Sequence, residues 1–212
     1  MKKLVLKTTF VALSTLFTFN ATATAHTPAL GKEYLEIRQV PSTQKEVLEF
    51  FSFYCPHCYD FELVHQIPNQ VKKALPQGAV LKQYHVDFLG RQSKELTRAW
   101  ALAMALGVED NVKVPLFENA RNNHIQSIDD IRTIFLANGV SAEQFDSGIH
   151  SFAVNALVNK QHQAAEAFKV RGVPSFFVNE QYQLNVEGFS DSKSTQEFVQ
   201  RYIDTVLFLI KK

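Results

Sequence analysis

The segment EVLEFFSF, from Glu46 to Phe53, is apolar at almost every position and has the length of a strand, so it predicts a strand buried on both faces. After Cys58 the period changes. Phe61, Val64, Val71 and Leu75 recur at helical spacing, and Pro68 is placed to kink or split that helix. AVLKQYHV, from Ala79 to Val86, alternates again and predicts another strand. KEYLEI, from Lys32 to Ile37, predicts a short strand ahead of both.

From Asp87 to about Gln161 the periodicity is helical. SKELTRAWALAMALG opens on Ser93 as a helix N-cap and stops at Gly107. SIDDIRTIFLANG, Ser127 to Gly139, has the same punctuation. SAEQ, starting at Ser141, is a capping box for a further helix. A long helix from about Phe152 to Val170 ends near Gly172. SFFVN and YQLNVEGF then predict a hairpin, and Thr195 to Ile210 an amphipathic helix. This order predicts an α/β unit, residues 26–86 and 162–212, interrupted by an inserted all-helical domain, residues 87–161. No internal repeat is visible.

The first 25 residues follow a different rule. Lys2, Lys3 and Lys7 lead into the apolar run TTFVALSTLFTF, and Ala23 and Ala25 then form an A-x-A pattern before His26. This predicts a signal peptide cleaved after Ala25. The competing reading, a membrane anchor, suits a run this short and rich in threonine less well. Removing Lys2, Lys3 and Lys7 from 22 basic residues leaves 19 against 21 acidic ones, a net charge of −2. No basic excess remains to neutralise phosphates, which argues against nucleic-acid binding. With 46% hydrophobic residues and 18 phenylalanines, the 212-residue chain can bury a substantial core. The leader looks bacterial and points to the periplasm, where disulfides persist.

The candidate chemistry lies in FFSFYCPHCYDF. Cys55 and Cys58 are the only cysteines in the chain. Cys55 follows the buried strand, and Pro56 occupies the first helical position, where its missing N–H costs nothing. The unpaired N–H groups and positive dipole end of that helix favour a thiolate on Cys55. His57 can add a hydrogen bond or a positive charge. A dithiol stabilised in this way yields electrons reluctantly, so its disulfide oxidises other thiols. Cys55 is then the sulfur that substrates attack, and Cys58, deeper along the helix, resolves the mixed disulfide.

Other readings compete. A zinc site needs about four ligands, and no second pair has ligand spacing. A structural disulfide closing so small a loop stabilises little. A reducing or isomerising thiol protein on the same scaffold is the stronger rival. From a different class, a holdase or metal carrier would carry the cysteine pair incidentally.

EVLEFFSFYCPHCYDFE, YHVDF, RAWALAMALGVED, VPLFE, RGVPSFFVN and YQLN, in that order along the mature chain, resemble the DsbA family, bacterial thiol:disulfide oxidoreductases of the thioredoxin superfamily. The resemblance implies a thioredoxin-like fold with a helical insert. It implies a monomer that oxidises newly exported, reduced or unfolded proteins through a mixed disulfide. It also implies reoxidation by a DsbB-like quinone-linked membrane protein. No cofactor is implied beyond the redox-active Cys55–Cys58 disulfide.

By position Cys55 matches the family nucleophile and Cys58 the resolving cysteine. Val173-Pro174 matches a loop whose proline is cis and presents backbone to substrate; an ordinary trans turn is the alternative. Glu49, an acid within an apolar strand, matches a buried acid assisting proton transfer at Cys58, against the alternative of a solvent-facing edge residue. Relatives often carry lysine where this chain has Gln83, so Glu49 lacks a cationic partner unless Lys82 bends round. Phe61, Val186 and Phe189 are candidates for an apolar substrate groove, with core packing as the alternative. Relatives more often have proline at the position of Val186. His65 and His85 are read as surface or core residues.

Overall fold

The computed structural model describes residues 26–37 and 45–212; the expected leader and its cleavage site lie outside them. Strand β1 is Tyr34–Glu36 and β2 is Glu46–Phe51, buried at every position. A short helix α1, Pro56–Tyr59, runs directly into a π-helical turn, Asp60–Val64. Gln66, at φ 51°, ends that stretch, and α2, Ile67–Ala74, restarts with Pro68 in its first turn. The single helical pattern is thus split at the left-handed Gln66, just ahead of the proline. Strand β3 is Val80–His85.

Five helices follow: α3 Ser93–Leu106, α4 Glu109–Arg121, α5 Ile128–Ala137, α6 Ala142–Gly148 and α7 Phe152–Ala167. Strands β4, Ser175–Val178, and β5, Tyr182–Leu184, form the hairpin, and α8, Thr195–Ile210, closes the chain. The strands make one mixed sheet in the order β1-β5-β4-β2-β3. Only β2 and β3 are parallel. This is a thioredoxin-like fold carrying a helical insert.

Capping explains much of the agreement with sequence. Ser127 and Ser141 each complete a capping box, satisfying helix N–H groups that would otherwise lack partners. Gly107, at φ 68°, ends α3 in the left-handed conformation glycine adopts without steric cost. Not every expectation holds. Ser93 is the first residue of α3, not its cap, because its hydroxyl is spent on the carbonyls of Asp87 and Gly90, 2.5 and 3.1 Å away. YQLNVEGF is strand only through Leu184; Val186–Phe189 is a 3-10 turn. There Gly188 lies so close to Lys32 that a Cβ would sit 2.0 Å from the Lys32 carbonyl oxygen. Helix α7, expected from about Phe152 to Val170, runs to Ala167 and so crosses the approximate boundary at 161. Gln161 is buried at the joint: its side-chain oxygen accepts the His85 N–H at 2.9 Å and its amide donates to the Thr97 carbonyl at 3.2 Å.

Three apolar clusters result. Residues from α2, α8 and the hairpin fill one face of the sheet. Leu48, Phe50, Tyr84 and Phe177 pack on the other, against Val170 and Phe168. The largest cluster joins Phe51, Phe53, Cys55 and Cys58 to Trp100, Phe117 and Phe135 of the helical block. At roughly 1.5–3 kcal/mol for each large side chain buried, this last cluster holds the cysteine segment against the helices.

Candidate active site

Everything that positions Cys55 begins at the end of β2. The Phe51 carbonyl accepts the Val86 N–H at 2.9 Å, ending the parallel pairing. The chain then turns: the Phe53 N–H donates to His85 Nε2 at 3.2 Å, and the Cys55 N–H to the Ser52 carbonyl at 3.0 Å. His85 is core. Burial drives its pKa down to about 3, so the ring is neutral, stacked on Phe53 at 5.0 Å with Nδ1 2.8 Å from the Thr97 hydroxyl. A neutral ring with Nε2 free to accept is what this turn requires. That role was not legible in the sequence, where His85 was a bare histidine in YHVDF.

Cys55 caps α1 in extended conformation, with Pro56 at the first helical position. Both cysteines are free thiols and both are buried, Cys58 more deeply at 1% exposure against 7%. Pro56 and His57 are exposed. The Cys55 pKa falls to about 6. The largest cause is the hydrogen bond from the Cys58 thiol; burial opposes it, and the backbone N–H groups of Cys58 and His57, then the His57 charge, assist. The helix-end donors expected from sequence are present, but the partner thiol outweighs them. Cys58 is pushed strongly upward, first by burial, then by its bond to Cys55 and by the Cys55 charge, with Glu49 adding to the rise. Two sulfurs three positions apart thus divide the roles: one carries charge, the other a proton.

The Val173-Pro174 peptide is cis. The Val173 carbonyl oxygen lies 3.2 Å from Cys55 Sγ, so the loop stands directly against the reactive sulfur.

Glu49 is buried, at 1% exposure, between Gln83 of β3 and Phe176 of β4. Its pKa is raised well above the usual carboxylate range, by burial first and then by the Glu62 charge. The alternative of a solvent-facing edge residue is therefore ruled out. Lys82 does not bend round; it pairs with Glu46. Gln83 Nε2 instead donates to Glu49 Oε2 at 2.7 Å and to Glu62 Oε2 at 2.8 Å. Lys113, from α4, donates to Glu62 Oε1 at 2.9 Å and to Gln83 Oε1 at 2.8 Å. Lys113 and Glu62 escaped the sequence reading. The available signal was a lysine inside the apolar stretch NVKVPLF, which must find a partner when buried.

The groove candidates fare differently. Phe189 is 1% exposed, and with Phe61 it packs on Tyr202 and Phe198 in the core. Val186 is half-buried on the same cluster. Phe61 and Phe189 thus take the core-packing alternative, because the hairpin and α8 close over them. His65 is partly exposed. Among the described residues no group of three or more His, Cys, Asp and Glu side chains is placed to hold a metal ion, and no helix is long and apolar enough to cross a membrane.

Residues 46–203 match the DSBA-like thioredoxin domain. The chain belongs to this family. Among its relatives, the thiol:disulfide interchange protein DsbA of Haemophilus influenzae is 60% identical over 182 residues, 86% of this chain and 87% of that one. The protein of the same name from Pectobacterium carotovorum is 46% identical over 204 residues, 96% of this chain and 97% of its own. Of solved structures, the disulfide oxidoreductase DsbA from Proteus mirabilis superposes with a TM-score of 0.79 at 42% identity, covering 88% of this chain and 98% of that one. A complex of Proteus DsbA with a non-covalently bound peptide, PWATCDS, gives 0.80 at 41% identity, covering 88% and 100%. As a DSBA-like thioredoxin protein, the chain is a thiol:disulfide oxidoreductase acting through its Cys-x-x-Cys pair.

Proposed function

We propose that this chain oxidises cysteine pairs in proteins newly exported to the periplasm. The observation that carries the reading is Cys55 at the head of α1, with its pKa lowered to about 6 beside a Cys58 held protonated. Charge stabilisation available only to the dithiol makes the disulfide the more oxidising form.

A substrate thiolate attacks Cys55 Sγ, the Cys55–Cys58 bond breaks, and Cys58 leaves with the electron pair. A proton from Glu49 meets it, because a buried thiolate beside apolar groups is costly. A second substrate thiolate attacks the substrate sulfur of the mixed disulfide, and Cys55 departs as a thiolate. The substrate loses two electrons and two protons. The cysteine pair gains both electrons; one of the two substrate protons replaces the proton Glu49 gave to Cys58, so Glu49 is neutral again in the reduced protein, and the other reaches solvent. The disulfide is the only redox group this needs. His57 supports the Cys55 charge, and the Val173-Pro174 loop presents backbone to the substrate segment. Val186 remains a candidate for the rim of that surface.

The chain acts as a monomer, exported with cleavage after Ala25, and is reoxidised by a DsbB-like quinone-linked membrane protein. Oxidation of a reduced two-cysteine peptide tests the reading. The native protein oxidises it stoichiometrically, and Cys55→Ser abolishes the reaction. Undiminished activity in that variant, or a pair that glutathione leaves oxidised, overturns the proposal. Preferential recovery of scrambled ribonuclease, or insulin reduction, transfers the scaffold to isomerisation or reduction.

A further inference from the structure

Beneath the cysteine pair, two acids face one cation. Glu49 and Glu62 both bond to the Gln83 amide, and Lys113 touches Glu62 but not Glu49. The Lys113 ammonium reaches Glu49 only through Gln83, whose side-chain oxygen accepts from it at 2.8 Å. Both polar ends of Gln83 are therefore engaged, and its backbone carbonyl takes the Trp100 indole N–H at 2.8 Å. Lys82, the neighbouring cation on β3, is committed to Glu46.

Charge counting then decides where a proton goes. With both acids ionised, the cluster holds an uncompensated negative charge in a largely closed site. With one proton it is neutral. Glu62 has the direct ion pair at 2.9 Å, its side chain 9% exposed and that of Lys113 10%. Glu49 has only an amide. Electrostatics place the charge on Glu62 and the proton on Glu49.

We propose that Lys113 is a positioning residue for the thiol–disulfide reaction: by holding Glu62 ionised through a direct ion pair, and meeting Glu49 only through Gln83, it reserves the shared proton for Glu49. This rests on the reading of Glu49 as the proton donor to Cys58. Gln83 donates to Oε2, leaving Oε1 to carry the proton. The groups facing Glu49 are few: Glu62 from the π-helical turn, Gln83 from β3, Lys113 from α4, Cys58 from α1 and Tyr202 from α8. Of these only Lys113 is cationic. Burial and the Glu62 charge act in the direction the proposal needs. The neutral amide at 83 matters equally. A lysine there would touch both acids and ionise Glu49. The cation instead comes from α4, one contact further from the acid beside Cys58.

Infrared spectroscopy of the reduced protein at neutral pH reads this directly. The native protein shows one protonated buried carboxyl band, absent in Glu49→Gln. Lys113→Arg keeps that band. Lys113→Met removes the direct cation on Glu62, and a second protonated carboxyl appears. Gln83→Lys brings a cation onto Glu49 and lowers its midpoint by about 1–3 pH units, as an opposite charge in contact does. The pH profile of peptide oxidation follows that midpoint, while the Cys55 thiolate titration stays in place. A native protein without the band, or a band indifferent to both Lys113→Met and Gln83→Lys, overturns the proposal. Bands that behave as stated, with unimpaired oxidation by Glu49→Gln, would leave the charge assignment standing and remove Glu49 from the reaction.

Discussion

Glu33 and Glu49 are both buried glutamates, 0% and 1% exposed, and they sit in opposite states. Burial pushes each toward the neutral acid. At Glu33 that push is outweighed by donors in direct contact: the Ala29 N–H at 3.0 Å, Arg201 Nη2 at 2.8 Å and His26 at 2.9 Å. Its pKa ends below the ordinary value. At Glu49 the nearest donor is a neutral amide and the nearest charge is another carboxylate, so its pKa ends well above. Direct contact with a cation, more than depth, separates a buried charge that ties two chain segments together from a buried acid that stores a proton. The first suits structure: Arg201 of α8 also grips Asp191 at 2.7 Å, clasping the amino-terminal segment to the last helix. The second suits chemistry beside Cys58.

The contrast breaks most visibly at Arg201. Arg201→Met leaves Glu33 buried without its main cation, and the loss is about 3–5 kcal/mol by urea denaturation. A loss under about 1 kcal/mol would show that the clasp contributes nothing. The next effect separates the two acids themselves. Glu33→Gln gives up charged hydrogen bonds and costs about 1–3 kcal/mol. At or below about pH 4.5, where unfolded Glu49 is protonated as well, Glu49→Gln replaces a protonated acid by a neutral isostere and changes stability by less than about 1 kcal/mol. Equal costs would mean that Glu49 is ionised too.

The finest discrimination is in pH, where the sign differs between the two. The folded pKa of Glu33 is lowered, so its contribution is present above the unfolded value near 4.5 and lost as pH falls. The folded pKa of Glu49 is raised, so its contribution is complete below 4.5 and lost as pH rises toward the folded value. The stability difference between the native protein and Glu49→Gln should therefore shrink from acid toward neutral pH, by at most about 1.4 kcal/mol per unit. Denaturation series at several pH values, compared with Glu33→Gln, would show opposite slopes.

The elements that place the reactive sulfur were legible because each rests on local chemistry. The apolar run of β2, proline at the first position of α1 and the serine caps of α5 and α6 act within a few residues. What escaped depends on contacts distant in sequence. Lys113 lies 30 positions from Gln83, and His85 lies 32 from the Phe53 N–H it receives. No periodicity reveals which strand neighbour a buried lysine will meet. Phe61 and Phe189 stayed undecided between groove and core for a related reason. An aromatic near a reactive centre looks the same in sequence whether it lines a groove or lies beneath the hairpin and α8. Glu49 shows an intermediate case: its burial followed from the apolar strand around it, but its partner did not.

Titrating the thiolate absorbance of the fully reduced protein measures the division of roles between the two sulfurs most directly. One thiolate should appear with a midpoint of about 6, and Cys58 should stay protonated beyond the range of an ordinary cysteine. A single midpoint near 8.5 for both thiols, the value of an unperturbed cysteine, would contradict the account.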